Sequence, residues 1–152
     1  MENINSSIKY ADDNGIEIIY VKQEYSNILD LIISGGRYKT NTQGLKLSDQ
    51  LLIKSDNKFS KLRADAFSQK SFEHYLSENN INTLYIVGAD ASACVFKTSL
   101  GGVNRDYHVV ILKDCIFSAN DKLLNKMLQQ YEKVGITVEE LNEFQQYCLQ
   151  PF

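Results

Sequence analysis

Leu84-Tyr85-Ile86-Val87-Gly88-Ala89-Asp90-Ala91-Ser92-Ala93-Cys94-Val95 is the stretch that decides the fold. A short apolar run ends in glycine, a turn of small residues follows, and a cysteine stands where the next helix starts. Four apolar residues bounded by a turn read as a buried strand, and strand–turn–helix is the unit of an α/β sheet. The position of Cys94 also suits a nucleophile. Unpaired N–H groups and the positive end of a helix dipole favour thiolate over thiol, and the same donors can hold an oxyanion. The plainer alternative is a small cysteine packing a strand–helix joint, which is the commoner use of the residue.

Outward from this stretch the pattern repeats. Residues 3–13 read as a helix with Ile4, Ile8 and Ala11 on one face, stopped at Asn14-Gly15. Ile16–Val21 reads as a strand, Ser26–Ile33 as a helix, and residues 34–57 as a long loop with a helical piece near Ser48–Leu52. Phe59–Lys61 is a short strand and Gln69–Glu78 a helix. After the strand at Leu84–Val87, a helix is expected over Ser92–Asn104 and a strand over His108–Leu112. An amphipathic helix follows over Asp121–Val134, then a brief strand at Ile136–Val138. Thr137 and Glu140 have the spacing of a capping box for a last helix through Leu141, Phe144 and Cys148. Strands alternating with helices predict a mainly parallel sheet with helices on both faces, and sites at the carboxyl ends of its strands.

The chain has 152 residues, 43% hydrophobic and 23% charged, which fits one domain spanning residues 1–152. The net charge of −3 and the scattered Lys and Arg give no basic stripe, so no nucleic-acid partner is expected. No apolar run reaches the ~20 residues of a bilayer span, so no membrane partner is expected either. Three cysteines, Cys94, Cys115 and Cys148, form no close-spaced pair. Neither a disulfide framework nor a structural zinc site is expected, and a cytoplasmic location follows. Cys115 and Cys148 read as packing residues, and His74 and His108 as residues without special chemistry.

Two further segments carry a family resemblance. One is Lys61-Leu62-Arg63-Ala64-Asp65-Ala66-Phe67; the other runs Cys94-Val95-Phe96-Lys97-Thr98 and on to Tyr107-His108-Val109-Val110-Ile111-Leu112-Lys113-Asp114. With Gly88 to Cys94 they agree in order and spacing with the isochorismatase-like cysteine hydrolases, which the chain resembles from about Ile8 to about Phe144. The resemblance implies a three-layer α/β/α sandwich with a Rossmann-like, mainly parallel sheet. It implies Cys94 as nucleophile and Lys61 as the cation beside it. The backbone N–H groups of Asp90 and Cys94 would form the oxyanion hole, with a cis peptide between Ala89 and Asp90. On the residues themselves, Phe67, like Tyr25 and Tyr38, reads equally as lining the substrate pocket or as packing in the core, and Asp114 reads as structural. No cofactor and no metal are implied, since the Asp-x-His of the family's zinc-binding members is replaced here by Val21-Lys22-Gln23-Glu24-Tyr25. The expected partners are a small-molecule substrate, amide-like or related, and further copies of the chain in a dimer or tetramer.

The chain departs from the family in its first element. The family opens on a strand ending in its catalytic aspartate, and this chain opens on a helix. Asp12 and Asp13 lie beside the far end of that helix, while Glu24 could reach the rim. Ala91 stands where the turn usually has threonine. Three expectations follow: an impaired or vestigial member acting as a binding module, a gene product truncated at its start, or a strand donated by a partner chain.

Overall fold

In the computed structural model, which describes residues 1–24 and 47–147, helices cover both faces of parallel strands. Helix α1 (Glu2–Asp13) is followed by β1 (Tyr20–Gln23). Next come β2 (Lys58–Lys61), a 3₁₀ turn (Ala66–Ser68), α2 (Lys70–Glu78) and β3 (Thr83–Ala89). The chain continues through α3 (Cys94–Val103), β4 (His108–Phe117), α4 (Asp121–Lys133), β5 (Thr137–Glu139) and α5 (Leu141–Tyr147). Helix and strand periodicity thus match the sequence-based assignment at ten of these positions. The helix expected at Ser26–Ile33 and residue Cys148 lie outside the described residues.

The strands form two parallel groups, β1 with β2 and β3 with β4 and β5. β4 is the centre of the larger group, and its alternating side chains feed two cores. Val110, Leu112 and Cys115 pack with Ile4, Ile8 and Ala11 of α1 and with Leu141 and Phe144 of α5. Val109, Ile111 and Ile116 face the other way, against Val95 of α3 and Met127 and Tyr131 of α4. This period-2 division between two helical layers is why the strand reads as an unbroken apolar run. A third cluster, Ala66, Phe67, Phe72 and Leu76, sits under β2.

Several boundaries differ from the sequence-based reading, each for a visible reason. β1 starts at Tyr20 rather than Ile16, because its ladder partner β2 begins at Lys58. The piece near Ser48–Leu52 is a turn closed by the Leu51 N–H on the Ser48 carbonyl, not a helix. β4 runs past Leu112 to Phe117 across a bulge: Ile86 pairs with Ile111, but Gly88 pairs with Ile116. Asp114 lies in that bulge instead of ending the strand. Its carbonyl accepts from Asn3 of α1, and its Oδ1 accepts from the Leu141 N–H of α5, so it ties two helices to the sheet. The last helix is capped at Glu140, whose N–H donates to Glu143 Oε2 at 2.6 Å. Thr137 belongs to β5 and meets His108 Nε2 instead of serving as the cap.

Candidate active site

Cys94 is the first residue of α3, half-buried, on the wall of a cavity of about 420 Å³. The turn that delivers it is fixed from several sides. Gly88, at φ +122°, adopts a backbone conformation that a side chain disfavours. The peptide between Ala89 and Asp90 is cis, at the position the resemblance implied. The Asp90 carboxylate accepts from the Ser92 N–H (2.6 Å) and hydroxyl (2.8 Å), and its carbonyl accepts from the N–H groups of Ala93 and Val95. Ala91, fully buried, donates its N–H to the Phe117 carbonyl and accepts from the Tyr131 hydroxyl at 2.6 Å. Burial holds the Tyr131 hydroxyl well above its ordinary pKa, with the nearby Asp90 charge adding to the effect, so it stays a donor.

α3 begins without a side-chain cap, because Ala93 has none to offer. The 3₁₀ turn and α4, by contrast, are capped by Asp65 and Asn120. Orphan donors at a helix start are left for an anion. Among the described residues, the N–H groups of Asp90 and Cys94 have no protein acceptor. The structure thus brings the two donors of the expected oxyanion hole onto one turn.

Lys61 ends β2, opposite Gln23 of β1. It is 5% exposed, although a buried ammonium without partners is costly. Its three N–H donors are matched by the Gln23 side-chain oxygen (2.8 Å) and the carbonyls of Arg63 (3.0 Å) and Ala64 (2.9 Å). All three acceptors are neutral, and among the described residues no carboxylate pairs with this ammonium. Thr98, one helical turn beyond Cys94, accepts from the Ala66 N–H and donates to the Ala64 carbonyl. The helix that carries Cys94 and the loop that follows Lys61 therefore meet at Ala64. Lys61, Thr98 and Cys94 all line the same cavity.

Two glycines set how closely α3 can approach. A Cβ on Gly101 would lie 2.6 Å from Asp65 Oδ1, and one on Gly102 would lie 2.8 Å from Val109 Cγ2. Phe67 is not on the cavity wall. It is buried against Phe72 and Tyr107, with the Arg105 guanidinium 4.7 Å from its ring centre, and the cavity touches Ala66 and Phe72 instead. Glu24 shares the end of β1 with Gln23, but its carboxylate pairs with Lys22 (2.8 Å) and accepts from Ser60 (2.6 Å) at the surface. The Lys22 interaction, before that of Ser60, holds it below the usual carboxylate range. Asp12 and Asp13 are engaged by Lys54 and Lys9. Glu17 does line the cavity, but it lies ahead of β1, where its carboxylate accepts from Asn57 and Tyr75. Asn57 precedes β2 and Lys61 ends it, so the Glu17 carboxylate and the Lys61 ammonium sit at opposite ends of that strand. Cys115 is wholly buried, and that burial pushes its thiol up to about 12, with Asp114 adding to the effect.

The Isochorismatase domain matches residues 1–143, nearly the whole chain. The chain belongs to the isochorismatase family. Solved structures of family type have the same fold. A cysteine hydrolase from Pseudomonas syringae superposes at TM-score 0.83 with 16% identity, over 97% of this chain and 78% of that one. An N-carbamoylsarcosine amidase from Thermoplasma acidophilum gives 0.77 with 20% identity, over 92% and 81%. A nicotinamidase from Bacillus subtilis gives 0.79 with 20% identity, over 91% and 83%. Among curated proteins there is no match. Among the described residues no helix of this isochorismatase-family protein is long and apolar enough to cross a membrane. Nor do any three His, Cys, Asp or Glu side chains gather in a metal-binding group.

Proposed function

We propose that this protein is a cysteine hydrolase that cleaves a small amide-like substrate through Cys94. The observation that carries the reading is the shared cavity of Cys94 and the buried Lys61, roofed by the uncapped start of α3. The thiolate attacks the carbonyl carbon, and the N–H groups of Asp90 and Cys94 hold the oxygen as it becomes negative. Collapse breaks the C–N bond as the nitrogen takes up the proton the thiol gave up, the amine departs, and water hydrolyses the remaining thioester to the acid and the free thiol. Lys61 favours the thiolate and steadies the charge that builds up. Thr98 and Tyr131 are positioning residues, holding the lysine's loop and the nucleophile's turn. The amide names of two structural neighbours support this substrate class. The cytoplasmic setting, the single domain and an assembly of two or four copies belong to the same proposal.

The test is alkylation with iodoacetamide at pH 6–7, with peptide mapping to separate Cys94 from Cys115 and Cys148. Cys94 is expected to react at least tenfold faster than a free thiol and to slow when Lys61 is replaced by Met. A Cys94 rate no faster than that of a free thiol removes the reading.

One observation favours a second reading, a member whose turnover is impaired and which acts by binding. Each proton transfer in the cycle needs a carboxylate or an equivalent base. Among the described residues, the cavity's sole carboxylate is Glu17, far from Lys61. Under this reading, an activated ester of a small carboxylic acid acylates Cys94 in a stoichiometric burst, with no steady turnover after it.

A further inference from the structure

One face of α3 carries more than the nucleophile. Cys94, Thr98 and Gly101, followed by Arg105 in the turn that closes the helix, are spaced by four, three and four residues. At ~100° and 1.5 Å per residue they lie within about 60° of one another, on a single stripe about 16 Å long.

The segment from Lys61 to Phe67 is laid along that stripe. Lys61 Nζ and the Thr98 hydroxyl both donate to the Ala64 carbonyl. The Thr98 hydroxyl also accepts the Ala66 N–H at 3.0 Å. The Asp65 carboxylate rests against Gly101, and the Phe67 ring lies close to Gly102. Successive residues of the segment thus meet successive turns of the helix. Lys61 comes to the end where Cys94 stands, on the wall of the same cavity.

Neither glycine offers a side chain to grip the segment, so its register along α3 needs a fixed point. Arg105 supplies one. Its guanidinium lies 4.7 Å from the centre of the Phe67 ring. One terminal N–H donates to the Gly101 carbonyl at 3.0 Å, and Nε donates to Glu73 of α2 at 2.9 Å. A single planar group therefore touches the segment, the helix and α2. Lysine has one nitrogen and no flat face, so it cannot make all three contacts at once. The Glu73 pair lies at the surface, where such pairs contribute little. The ring and the Gly101 carbonyl are the directional contacts. Phe72 and Tyr107 close in the Phe67 ring on its other sides.

We propose that Arg105 is a positioning residue for the reaction at Cys94. It clamps Phe67 to the end of α3, and so fixes where the Lys61–Phe67 segment lies on the helix and how far Lys61 Nζ stands from the thiol. Among the described residues, the charged side chains on the cavity are Lys61 and Glu17, and Glu17 is at the far end of β2 from Lys61. The charge that the thiol meets in the cavity is therefore set by the place of Lys61. The effect on chemistry rests on the Cys94 hydrolase reading; the docking of the segment can be measured without it.

Two readouts on the full chain test this. One is amide exchange at Ala66, whose N–H is held by Thr98. The other is the pH profile of Cys94 alkylation by iodoacetamide, with peptide mapping. In Arg105→Ala, exchange at Ala66 is expected to quicken about tenfold as the segment comes free of the helix. Cys94 alkylation at pH 7 should slow about fivefold, with the midpoint of its profile moving up toward that of a free thiol. Arg105→Lys should recover part of both losses, and Glu73→Gln should match the parent in both. In a Lys61→Met background, adding Arg105→Ala should leave alkylation unchanged, because the group it positions is gone. A second loss of equal size in that background means general loosening and overturns the proposal. Unchanged Ala66 exchange in Arg105→Ala overturns it too, as does a Glu73→Gln effect equal to that of Arg105→Ala. Full recovery by Arg105→Lys overturns the role of the planar group. If Cys94 of the parent reacts no faster than a free thiol, the hydrolase reading fails, and Ala66 exchange still decides whether Arg105 holds the segment.

Discussion

β3 and β4 are neighbouring strands with nearly interchangeable sequences, Leu84-Tyr85-Ile86-Val87 and Val109-Val110-Ile111-Leu112, yet they live in different surroundings. Every residue of the β4 run is buried to 1% exposure or less, whereas no residue of β3 is fully buried. β4 has a paired strand on each side; among the described residues β3 pairs with β4 alone, and Leu84 to Val87 line the cavity. Side-chain hydrophobicity states a demand for cover, and the flanking strands decide whether it is met. The site is built at the less covered of the two, where a cavity can exist.

The largest effect that would break this contrast is a pair of truncations measured by urea unfolding. Ile111→Ala is expected to cost about 2–5 kcal/mol, as for a fully buried aliphatic residue. Ile86→Ala is expected to cost half of that or less, because its environment is already partly open. Equal losses would mean that β3 is covered as well as β4 is.

Next in size is the pH dependence set by the β4 thiol. Cys115 is held near 12 in the folded chain, against 9.0 when unconstrained. Between these values the unfolded chain has lost the proton while the folded chain keeps it. Stability is therefore whole below about pH 9 and falls as pH rises toward 12, by up to about 1.4 kcal/mol per unit. Comparing urea midpoints at pH 8 and pH 10 for the parent and for Cys115→Ala should show a slope that the variant reduces.

Smaller still are the effects on α3, the helix beside both strands. Gly102→Ala is expected to destabilise by about 1–3 kcal/mol, because Val109 is locked in the core and cannot yield. Gly101→Ala should cost less, since the Asp65 carboxylate can swing aside by giving up its bond to the Phe67 N–H. Thermal melts of the two variants would sharpen or reverse this order. The smallest expected change is Tyr131→Phe, about 1 kcal/mol for a hydroxyl–carbonyl bond in the turn that follows β3. Its informative readout is the alkylation rate of Cys94, which should fall if that turn loosens.

What could be read in the sequence follows from the range of each signal. The strands and helices declare themselves through local periodicity, and Gly88 to Cys94 through a turn that needs glycine. Lys61 was placed at the site by the family resemblance that its spacing to Ala66 and Phe67 carries. The bulge at Asp114, the cap at Glu140 and the turn at Ser48 were not legible, because each depends on a neighbour distant in sequence. Phe67 shows the limit of motif reading. The motif located the residue, but only packing against Phe72 and Tyr107 says that it supports the cavity wall from behind.

The two adjacent glycines of α3 give up something a helix ordinarily keeps. Each costs roughly 1 kcal/mol of helical propensity relative to alanine. In return, the backbone of α3 comes within touching distance of Val109 on one side and Asp65 on the other. Clearance, in this protein, is set by the absence of atoms. A thickness gauge two residues long fixes how deep the thiol-bearing helix seats, and with it the reach from Cys94 to whatever enters the cavity.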